Sequence, residues 1–253
     1  MKKRKVLYMK NKLKRIAVFI FNVFLPPRCL ICDTIVQDKN GLCPKCFSKV
    51  NFLTDRCCPV CGRPYTFPID EGESLVCGKC LTKPPKFNYS RSVFAYDNFS
   101  RGLILPLKHT DSTESVPYLA NLLYLRGKDL ITKSDILIPV PLHWRRLMKR
   151  KYNQSGLLVN ALSKLCKKPY LSDVLVRVKN TQSQGHKTRK ERQENIKDAF
   201  AIRHQEKIKG KTILLVDDVY TTGTTLNECA KLLKENGVKE VNVLTLAKVC
   251  RFE

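Results

Sequence analysis

The sequence lacks an apolar stretch of the roughly 20 residues that a transmembrane helix needs. Its N-terminal apolar run, residues 16–25, has ten residues and is interrupted by Asn22. A small-x-small cleavage site for a signal peptidase is also absent between this run and the first cysteine. We therefore predict a cytoplasmic protein. Its basic and apolar arm, residues 1–25, is expected to form a helix that docks on the protein or makes peripheral contact with a membrane surface.

Acidic residues are scarce compared with basic ones. The 253 residues include 22 Asp and Glu against 47 Lys and Arg, which gives a formal net charge of +25. This charge implies attraction to polyanions such as nucleic acid, nucleotides or an anionic membrane face. A general preference for lysine, with the charge spread over solvated faces, is the alternative explanation. The hydrophobic content of 43% is sufficient for a core and excludes a globally disordered chain.

Cysteine is abundant, and its placement argues against disulfides. Nine of the 12 cysteines lie between Cys29 and Cys80, and eight of them form Cys-x-x-Cys pairs. Two such pairs supply the four thiolates of a tetrahedral zinc site, which is typical of a protein in a reducing compartment. The predicted zinc ligands are Cys29, Cys32, Cys43, Cys46, Cys58, Cys61, Cys77 and Cys80.

Several alternatives remain open for this cysteine-rich segment. Disulfides and an iron–sulfur cluster are competing interpretations of the same spacing. The pairs could also ligate across each other, and Cys57 next to Cys58 makes one ligand ambiguous. Because the segment has little apolar sequence of its own, metal binding is expected to drive its folding.

Composition divides the chain into three regions. The arm over residues 1–25 is followed by a Cys-, Pro- and Gly-rich region, 26–86, which we predict to be a double zinc ribbon. The region 87–253 alternates β-branched runs (135–140, 173–178, 212–219 and 240–249) with helical patterns (153–168 and 225–237). Short apolar runs bounded by helices predict an α/β fold, in which crossover helices connect the strands of a parallel sheet.

One motif indicates a ligand. The buried strand predicted at 213–216 ends at Asp217 and Asp218, and a Thr- and Gly-rich loop then enters a helix. The N-terminus of a helix at the carboxyl end of a parallel strand favours a phosphate, whereas two carboxylates favour hydroxyl donors such as a ribose diol. We therefore predict a sugar-phosphate site formed by Asp217, Asp218, Thr221, Thr222, Gly223, Thr224 and Thr225.

These residues resemble the phosphoribosyl-pyrophosphate (PRPP) motif of type I phosphoribosyltransferases. The chain as a whole resembles the ComF (ComFC) family of competence proteins. The resemblance lies in the order of its motifs, which is the two ribbons, "PVPLHWRR", "KRKYNQS", "TQSQGHKTRKERQENIKDAF" and the PRPP motif. The resemblance implies a type I phosphoribosyltransferase-like parallel sheet with an N-terminal Cys-rich zinc ribbon region. It also implies structural zinc, PRPP bound with magnesium, and a role in DNA uptake. Single-stranded DNA and a competence helicase are the implied macromolecular partners.

Further residues are assigned by the resemblance alone. The pyrophosphate side is assigned to Val140, Pro141, Leu142, His143, Arg189 and Arg192, although a packing or capping role for His143 is equally consistent. A flap over 181–195 contains Gln184 and Asn195 at family positions, and Lys108 matches a family lysine. The chain departs from the family at Lys151, where a glycine is usual, and at Lys187 in the flap. If that glycine needs a positive φ, the lysine strains the loop.

The sequence leaves three functions open. The chain could be a phosphoribosyltransferase of unknown acceptor, a PRPP-binding protein that handles single-stranded DNA, or a regulator that senses PRPP. No catalytic nucleophile or base is expected, because this chemistry depends on positioning and electrostatics. Trp144 and Tyr152 flank a basic stretch and are candidates for stacking on bases. We expect residues of the cysteine-rich region and of 87–111 to form the hood that selects an acceptor.

Overall fold

A computed structural model describes residues 26–37, 41–67, 75–109, 113–179 and 198–250. The predicted arm and the predicted flap lie outside these residues. The chain divides into two units, one reaching to Lys49 and the other beginning at Val50. The second group of cysteines thus belongs to the same unit as the sheet. The domain boundaries expected after residues 25 and 86 stay predictions.

The main sheet is parallel, as the alternation of strands and helices predicts. Its strand order is β1-β6-β5-β2, and every neighbouring pair runs parallel. The strands are β1 (Ser90–Ala95), β2 (Ile136–Pro139), β5 (Thr212–Tyr220) and β6 (Glu240–Lys248). Strand β1 forms one edge of this sheet in the described part of the chain. It lies in the segment 87–111, whose expected contribution to a hood stays a prediction.

The predicted strand over 173–178 belongs to a different sheet. Strand β3 (Leu175–Arg177) pairs antiparallel with β4 (Phe200–Ile202), and these two form a separate ribbon. In each of these strands one residue is buried and the other two are half-buried. A short apolar run alone cannot distinguish such a ribbon from a strand of the parallel sheet.

Helices connect and cover the strands. Two short helices follow the cysteine pairs, α1 (Pro44–Phe47) and α2 (Gly78–Thr82). After β1 come α3 (Arg101–Ile104), α4 (Pro106–His109), α5 (Val116–Arg126) and α6 (Lys128–Lys133). The remaining α-helices of the described chain are α7 (Trp144–Arg150), α8 (Gln154–Cys166) and α9 (Thr224–Glu235), and a 3-10 turn spans Gln205–Lys207. None of the described helices is long and apolar enough to cross a membrane.

The two faces of the sheet carry separate layers. Alternate residues of β5, such as Ile213 and Leu215, pack with α9 and with the β3–β4 ribbon in one apolar cluster. Two other helices also pack on the sheet. Helix α5 contacts β1 and β6, and helix α8 contacts β2 and β5. Residues 213–216 are fully buried, so β5 is covered on both faces. This arrangement leaves the ends of the strands, rather than their faces, for ligands.

The junction between α7 and α8 contains Lys151, where the family that the sequence resembles usually has a glycine. Lys151 ends α7 with φ of 65° and ψ of −17°, in the left-handed region. This conformation costs a residue with a Cβ about 1–2 kcal/mol, and glycine adopts it freely. The positive φ of Lys151 agrees with the expectation that a glycine is usual here because the backbone needs a positive φ.

We predict that Lys151→Gly raises the free energy of unfolding by about 1 kcal/mol, because relief of the left-handed strain exceeds the entropy lost by glycine. Urea unfolding of the metal-loaded protein measures the change. The control Lys164→Gly lies inside α8 on an exposed face, and it should lower stability by about 1 kcal/mol. A loss of stability in Lys151→Gly would mean that contacts of the lysine side chain outweigh the strain.

Candidate functional site

The predicted sugar-phosphate residues lie at the carboxyl edge of the main sheet. Strands β5 and β2 are neighbours, and Pro139 at the end of β2 pairs with Val216. The loop that follows β2 is tied to β5, because the Val140 N–H donates to the Val216 carbonyl at 2.9 Å. Two segments far apart in sequence, 139–143 and 217–225, therefore lie next to each other.

The two carboxylates have different partners. Asp217 accepts hydrogen bonds from the Ser155 hydroxyl and from the Asp218 N–H, both at 2.9 Å. Asp218 forms an ion pair with Lys108, whose Nζ lies 2.9 Å from Oδ2. Burial, reinforced by the neighbouring charge of Asp218, raises the pKa of Asp217 to about 7. At this edge Lys108 supplies the positive charge that offsets the acidic pair.

Strand β5 does not end at the carboxylates, as predicted, but continues two residues past Asp218 to Tyr220, because its pairing with β6 extends that far. The loop after Tyr220 leads directly into α9. Helix α9 begins at Thr224, one residue before the helical pattern of 225–237, and has no side-chain cap. Gly223 has φ of 82°, and a Cβ there would lie 2.7 Å from the ring of Tyr220. Thr222 and Thr224 share a hydroxyl–hydroxyl contact of 2.8 Å. The loop thus combines an uncapped helix N-terminus with hydroxyl donors, which suits an anion.

The loop assigned to pyrophosphate is held by its neighbours. The Asn153 side chain accepts from the Ser155 N–H and donates to the Val140 carbonyl, so it caps α8 and fixes the loop at once. His143 is buried, and its Nδ1 accepts from the Arg145 N–H, which caps α7. His143 therefore has the capping role that the sequence left open. The roles of Val140, Pro141 and Leu142 towards a ligand stay predictions.

Several predicted residues cannot be placed. Gln184, Lys187, Arg189, Arg192 and Asn195 lie outside the described residues. Trp144 is described, and 58% of its surface is exposed, so it does not fill the core. The Arg145 guanidinium lies 5.3 Å from the centre of the Trp144 ring.

The eight predicted zinc ligands form two groups of four. In each group all ligand atoms lie within 4.8 Å of one another. The Sγ atoms of Cys32 and Cys43 are 3.6 Å apart, and those of Cys61 and Cys77 are 3.7 Å apart. A tetrahedral zinc site with Zn–S bonds of about 2.3 Å has S–S edges of about 3.8 Å, so the spacing fits zinc. The groups are Cys29, Cys32, Cys43 and Cys46, and Cys58, Cys61, Cys77 and Cys80.

This grouping resolves two ambiguities of the sequence. Each group consists of consecutive Cys-x-x-Cys pairs, which is the simpler of the two pairings that the sequence left open. Cys57 belongs to neither group in the described part of the chain. Its Sγ instead accepts from the Arg126 guanidinium at 3.7 Å, and burial raises the pKa of its thiol.

Hydrogen bonds support thiolates at both groups. The Cys77 N–H lies 3.4 Å from the Cys58 sulfur, and the Cys43 N–H lies 3.4 Å from the Cys29 sulfur. The hydrogen bond from Thr34 lowers the pKa of Cys32 to about 6. Since the thiolate is the form that binds zinc, these contacts favour metal binding.

Three residues at this edge were not found from the sequence. Ser155 lies in the quoted "KRKYNQS" motif, but nothing in its residue type indicates contact with Asp217. Tyr220 and Lys248 end the neighbouring strands β5 and β6, and the Lys248 ammonium lies 3.2 Å from the centre of the Tyr220 ring. Burial lowers the pKa of Lys248 to about 8, and interaction with the Cys61 thiolate opposes this shift. A lysine among 47 basic residues carries no sequence signal of such burial.

Comparisons with known proteins agree with this architecture. The family described as "Double zinc ribbon domain" matches residues 20–81, and "Phosphoribosyl transferase domain" matches residues 155–250. The chain is 33% identical over 228 residues to "Competence protein F" of Haemophilus influenzae, covering 87% of this chain and 96% of that protein. It is 34% identical over 230 residues to "DNA utilization protein YhgH" of Salmonella typhimurium, covering 88% of this chain and 98% of that protein.

Similarity to solved structures is weaker. Orotate phosphoribosyltransferase from Aeropyrum pernix is 20% identical with a TM-score of 0.36, covering 62% of this chain and 68% of that one. The two family matches, the parallel sheet and the two four-cysteine groups confirm the predicted fold, a phosphoribosyltransferase-like α/β sheet with an N-terminal zinc ribbon region.

The raised pKa of Asp217 predicts a pH-dependent stability. The folded protein retains the Asp217 proton up to about pH 7, whereas the unfolded chain loses it near pH 4. The contribution of Asp217 to stability is therefore fully present below pH 4 and is lost as the pH rises to 7. In the wild type this lowers the free energy of unfolding by about 2–4 kcal/mol between pH 4 and 7, and Asp217→Asn should abolish the decrease. Urea unfolding across this range measures the difference in slope from the wild type. The control Glu114→Gln, an exposed carboxylate, should keep the wild-type slope. An identical slope in Asp217→Asn would contradict the prediction.

Proposed function

Because this chain belongs to the ComF family, we propose that it binds PRPP together with magnesium and acts on single-stranded DNA during DNA uptake. One observation carries the proposal. The paired carboxylates of Asp217 and Asp218 meet an uncapped helix N-terminus at the carboxyl edge of a parallel sheet. The names of two relatives, a competence protein and a DNA utilization protein, support the biological role.

The 5′-phosphate of PRPP is assigned to the loop from Thr221 to Thr225. The first N–H groups of α9 point out of the helix and carry its positive dipole end. Thr222 and Thr224 already form a hydroxyl pair 2.8 Å apart, and either hydroxyl can donate to a phosphate oxygen. Gly223 lets the chain enter α9 with φ of 82° against the Tyr220 ring, where a Cβ would not fit.

The ribose hydroxyls are assigned to Asp217 and Asp218. Both carboxylates are partly occupied within the protein, by Ser155 and Lys108. A diol that donates to these oxygens would replace the Lys108 contact, and the lysine would then be available to the pyrophosphate. Carboxylate oxygens are also the ligands that magnesium prefers, so this edge fits a magnesium ion that neutralises the charge of the pyrophosphate.

The DNA-binding part of the proposal rests on α7, which follows the pyrophosphate loop. Trp144 and Met148 are 58% and 77% exposed, and Arg145 lies over the Trp144 ring. An exposed indole next to guanidinium groups can stack on a base while the cations contact phosphates. The competence helicase, the contact with a membrane surface and the cytoplasmic location remain predictions.

The test of PRPP binding is calorimetry with PRPP and magnesium. The double variant Asp217→Asn, Asp218→Asn should weaken binding at least tenfold, because a neutral amide accepts hydroxyl hydrogen bonds more weakly than a carboxylate. A suitable control is Asp135→Asn at the opposite end of β5, where Asp135 accepts from the Thr212 N–H. Unchanged affinity in a folded double variant would overturn the assignment. Pyrophosphate release from the same samples with a panel of bases tests whether the protein is also a transferase.

For DNA, we predict that single strands are bound more tightly than duplexes at physiological salt. Replacing Trp144 by Leu should lower single-strand affinity about tenfold without changing its salt dependence, because stacking contributes about 1–3 kcal/mol per base. Replacing Arg145 and Arg150 by Gln should instead reduce the salt slope by about 0.7 for each phosphate that the protein no longer neutralises.

The charge-matched control for DNA replaces Lys234 and Lys239, which are exposed near the amino end of β6, by Gln. This variant removes the same net charge. If DNA binds specifically at α7, its affinity and salt slope should change less than when Arg145 and Arg150 are replaced. Filter binding over a salt series measures both quantities. Equal affinity for duplex and single strand would argue against DNA handling, and equal effects of the two charge variants would place the DNA surface elsewhere.

A further inference from the structure

The start of α8 lies between the two halves of the candidate site. Asn153, which caps the helix, donates its side-chain N–H to the Val140 carbonyl at 3.1 Å. The Ser155 hydroxyl donates to Asp217 at 2.9 Å. These two contacts tie the first turn of α8 to the loop after β2 and to the acidic pair of β5. Gln154 is the residue between the two that make these contacts.

Gln154 is a buried amide with an unsatisfied donor. Only 2% of its surface is exposed, and its Nε2 has no hydrogen-bond partner in the described part of the chain. It lies on the buried face of α8, together with Ser155 and Leu158. Because side chains on a helix tilt towards its N-terminus, the amide of this first residue extends past the helix start on the side of the sheet. A buried donor without an acceptor costs free energy, and an acceptor on a ligand would recover it.

Two backbone donors are also available at the helix start. The Ser155 N–H is bonded to the side chain of the Asn153 cap, and the Leu157 N–H is bonded to the Asn153 carbonyl. The N–H groups of Gln154 and Gly156 have no acceptor among the described residues. The first turn contains no acidic residue, and the helix is 13 residues long. Its start therefore presents one side-chain donor, two backbone donors and a positive dipole end, which together favour an anion.

The loop assigned to the pyrophosphate has few donors of its own. The Val140 N–H is bonded to the Val216 carbonyl, and Pro141 has no N–H. The Nδ1 of His143 is an acceptor, since it is bonded to the Arg145 N–H. A bound anion therefore needs donors from a neighbouring segment, and the start of α8 is the segment that Asn153 ties to this loop.

Helices α8 and α9 approach the acidic pair from opposite faces of the sheet. Helix α9 belongs to the apolar cluster of one face, whereas the buried Leu158, Val159 and Leu162 of α8 lie outside that cluster. Both helices nevertheless contact β5. In PRPP the 5′-phosphate and the pyrophosphate are attached at opposite ends of the ribose. A ribose held by the acidic pair can therefore direct one of these groups to the start of each helix.

We propose that the start of α8 binds the pyrophosphate group of PRPP, with the Gln154 side-chain amide and the N–H groups of Gln154 and Gly156 as donors. The oxygens of pyrophosphate are charged acceptors, so each of these hydrogen bonds is stronger than one to a neutral group. This role rests on the proposed function, since the ligand is PRPP. Inorganic pyrophosphate and ribose 5-phosphate separate the two, because each carries only one half of PRPP.

The test is calorimetry of full-length, zinc-loaded Gln154→Met with three ligands in the presence of magnesium. Methionine retains the length of the side chain and removes the amide. We expect the affinity for PRPP and for inorganic pyrophosphate to fall about 10–100-fold, the range for a hydrogen bond to a charged group. The affinity for ribose 5-phosphate should be unchanged, because that ligand does not reach the start of α8.

The stability of the ligand-free protein distinguishes binding from a structural role. Because Gln154→Met removes a buried donor that has no partner, the urea midpoint should stay the same or rise. The matched control is Gln205→Met, the same change at an exposed glutamine before β5, and it should leave all three affinities unchanged. Gln154→Glu retains the shape of the side chain and replaces the donor by a carboxylate. At pH 8 it should weaken pyrophosphate binding more than Gln154→Met does.

The outcomes that overturn the proposal are distinct from those that overturn the proposed function. Unchanged pyrophosphate affinity in folded Gln154→Met would overturn the proposal, as would equal weakening of all three ligands together with a lower urea midpoint. If Gln154→Met does not fold, unchanged pyrophosphate affinity in Gln154→Glu has the same meaning. A wild type that binds neither PRPP nor ribose 5-phosphate would overturn the proposed function. Binding of inorganic pyrophosphate that depends on Gln154 would then still support the anion site at α8.

Discussion

The packing of β5 between two helical layers is the constraint on which the rest of the structure depends. Residues 213–216 are fully buried between β6 and β2. Burying each such aliphatic side chain contributes about 1.5–3 kcal/mol. This burial fixes the register of β5, and the register places the first polar residues after the apolar run, Asp217 and Asp218, at the carboxyl edge. The location of the acidic pair is therefore a consequence of core packing.

Opposing charges at this edge are balanced within the protein. Burial, and after it the charge of Asp218, disfavours ionisation of Asp217 and raises its pKa. Ser155 and Lys108 offset this by contacting one carboxylate each. The acidic pair is consequently held by internal contacts, and a ligand must replace some of them rather than fill an empty space. Such an exchange favours a ligand that has both hydroxyl donors and negative charge.

The cysteine groups contribute to the structure in different ways. The second group lies in the same unit as the sheet, and residues around it are bound to sheet residues. Arg126 of α5 donates to the carbonyls of Thr54 and Ser92, and Arg91 of β1 donates to the Pro59 carbonyl. Folding of this ribbon is thus linked to the sheet by hydrogen bonds. The first group belongs to the other unit, and its geometry is set by local contacts such as the one between Thr34 and Cys32.

The sequence determined the features that depend on local pattern. Cysteine spacing predicted both metal groups, since a Cys-x-x-Cys turn places two sulfurs together in any context. Apolar periodicity predicted β2, β5, β6, α8 and α9. The acidic pair followed by a Thr- and Gly-rich loop led to the proposal of a sugar-phosphate site. The family resemblance singled out Lys108, and it identified position 151 as one where a glycine is usual. The pattern failed for β1, whose strand was not recognised, and for β3, which pairs outside the main sheet.

Tertiary structure alone decided which residues meet across long separations. Ser155 and Lys108 reach the acidic pair from 62 and 110 positions away along the chain. His143 became a helix cap because its backbone turns into α7 at that point. Lys248, one of 47 basic residues, is buried against the ring of Tyr220. Burial depends on atoms brought together by folding, and no local pattern in a basic sequence distinguishes an enclosed lysine from a solvated one.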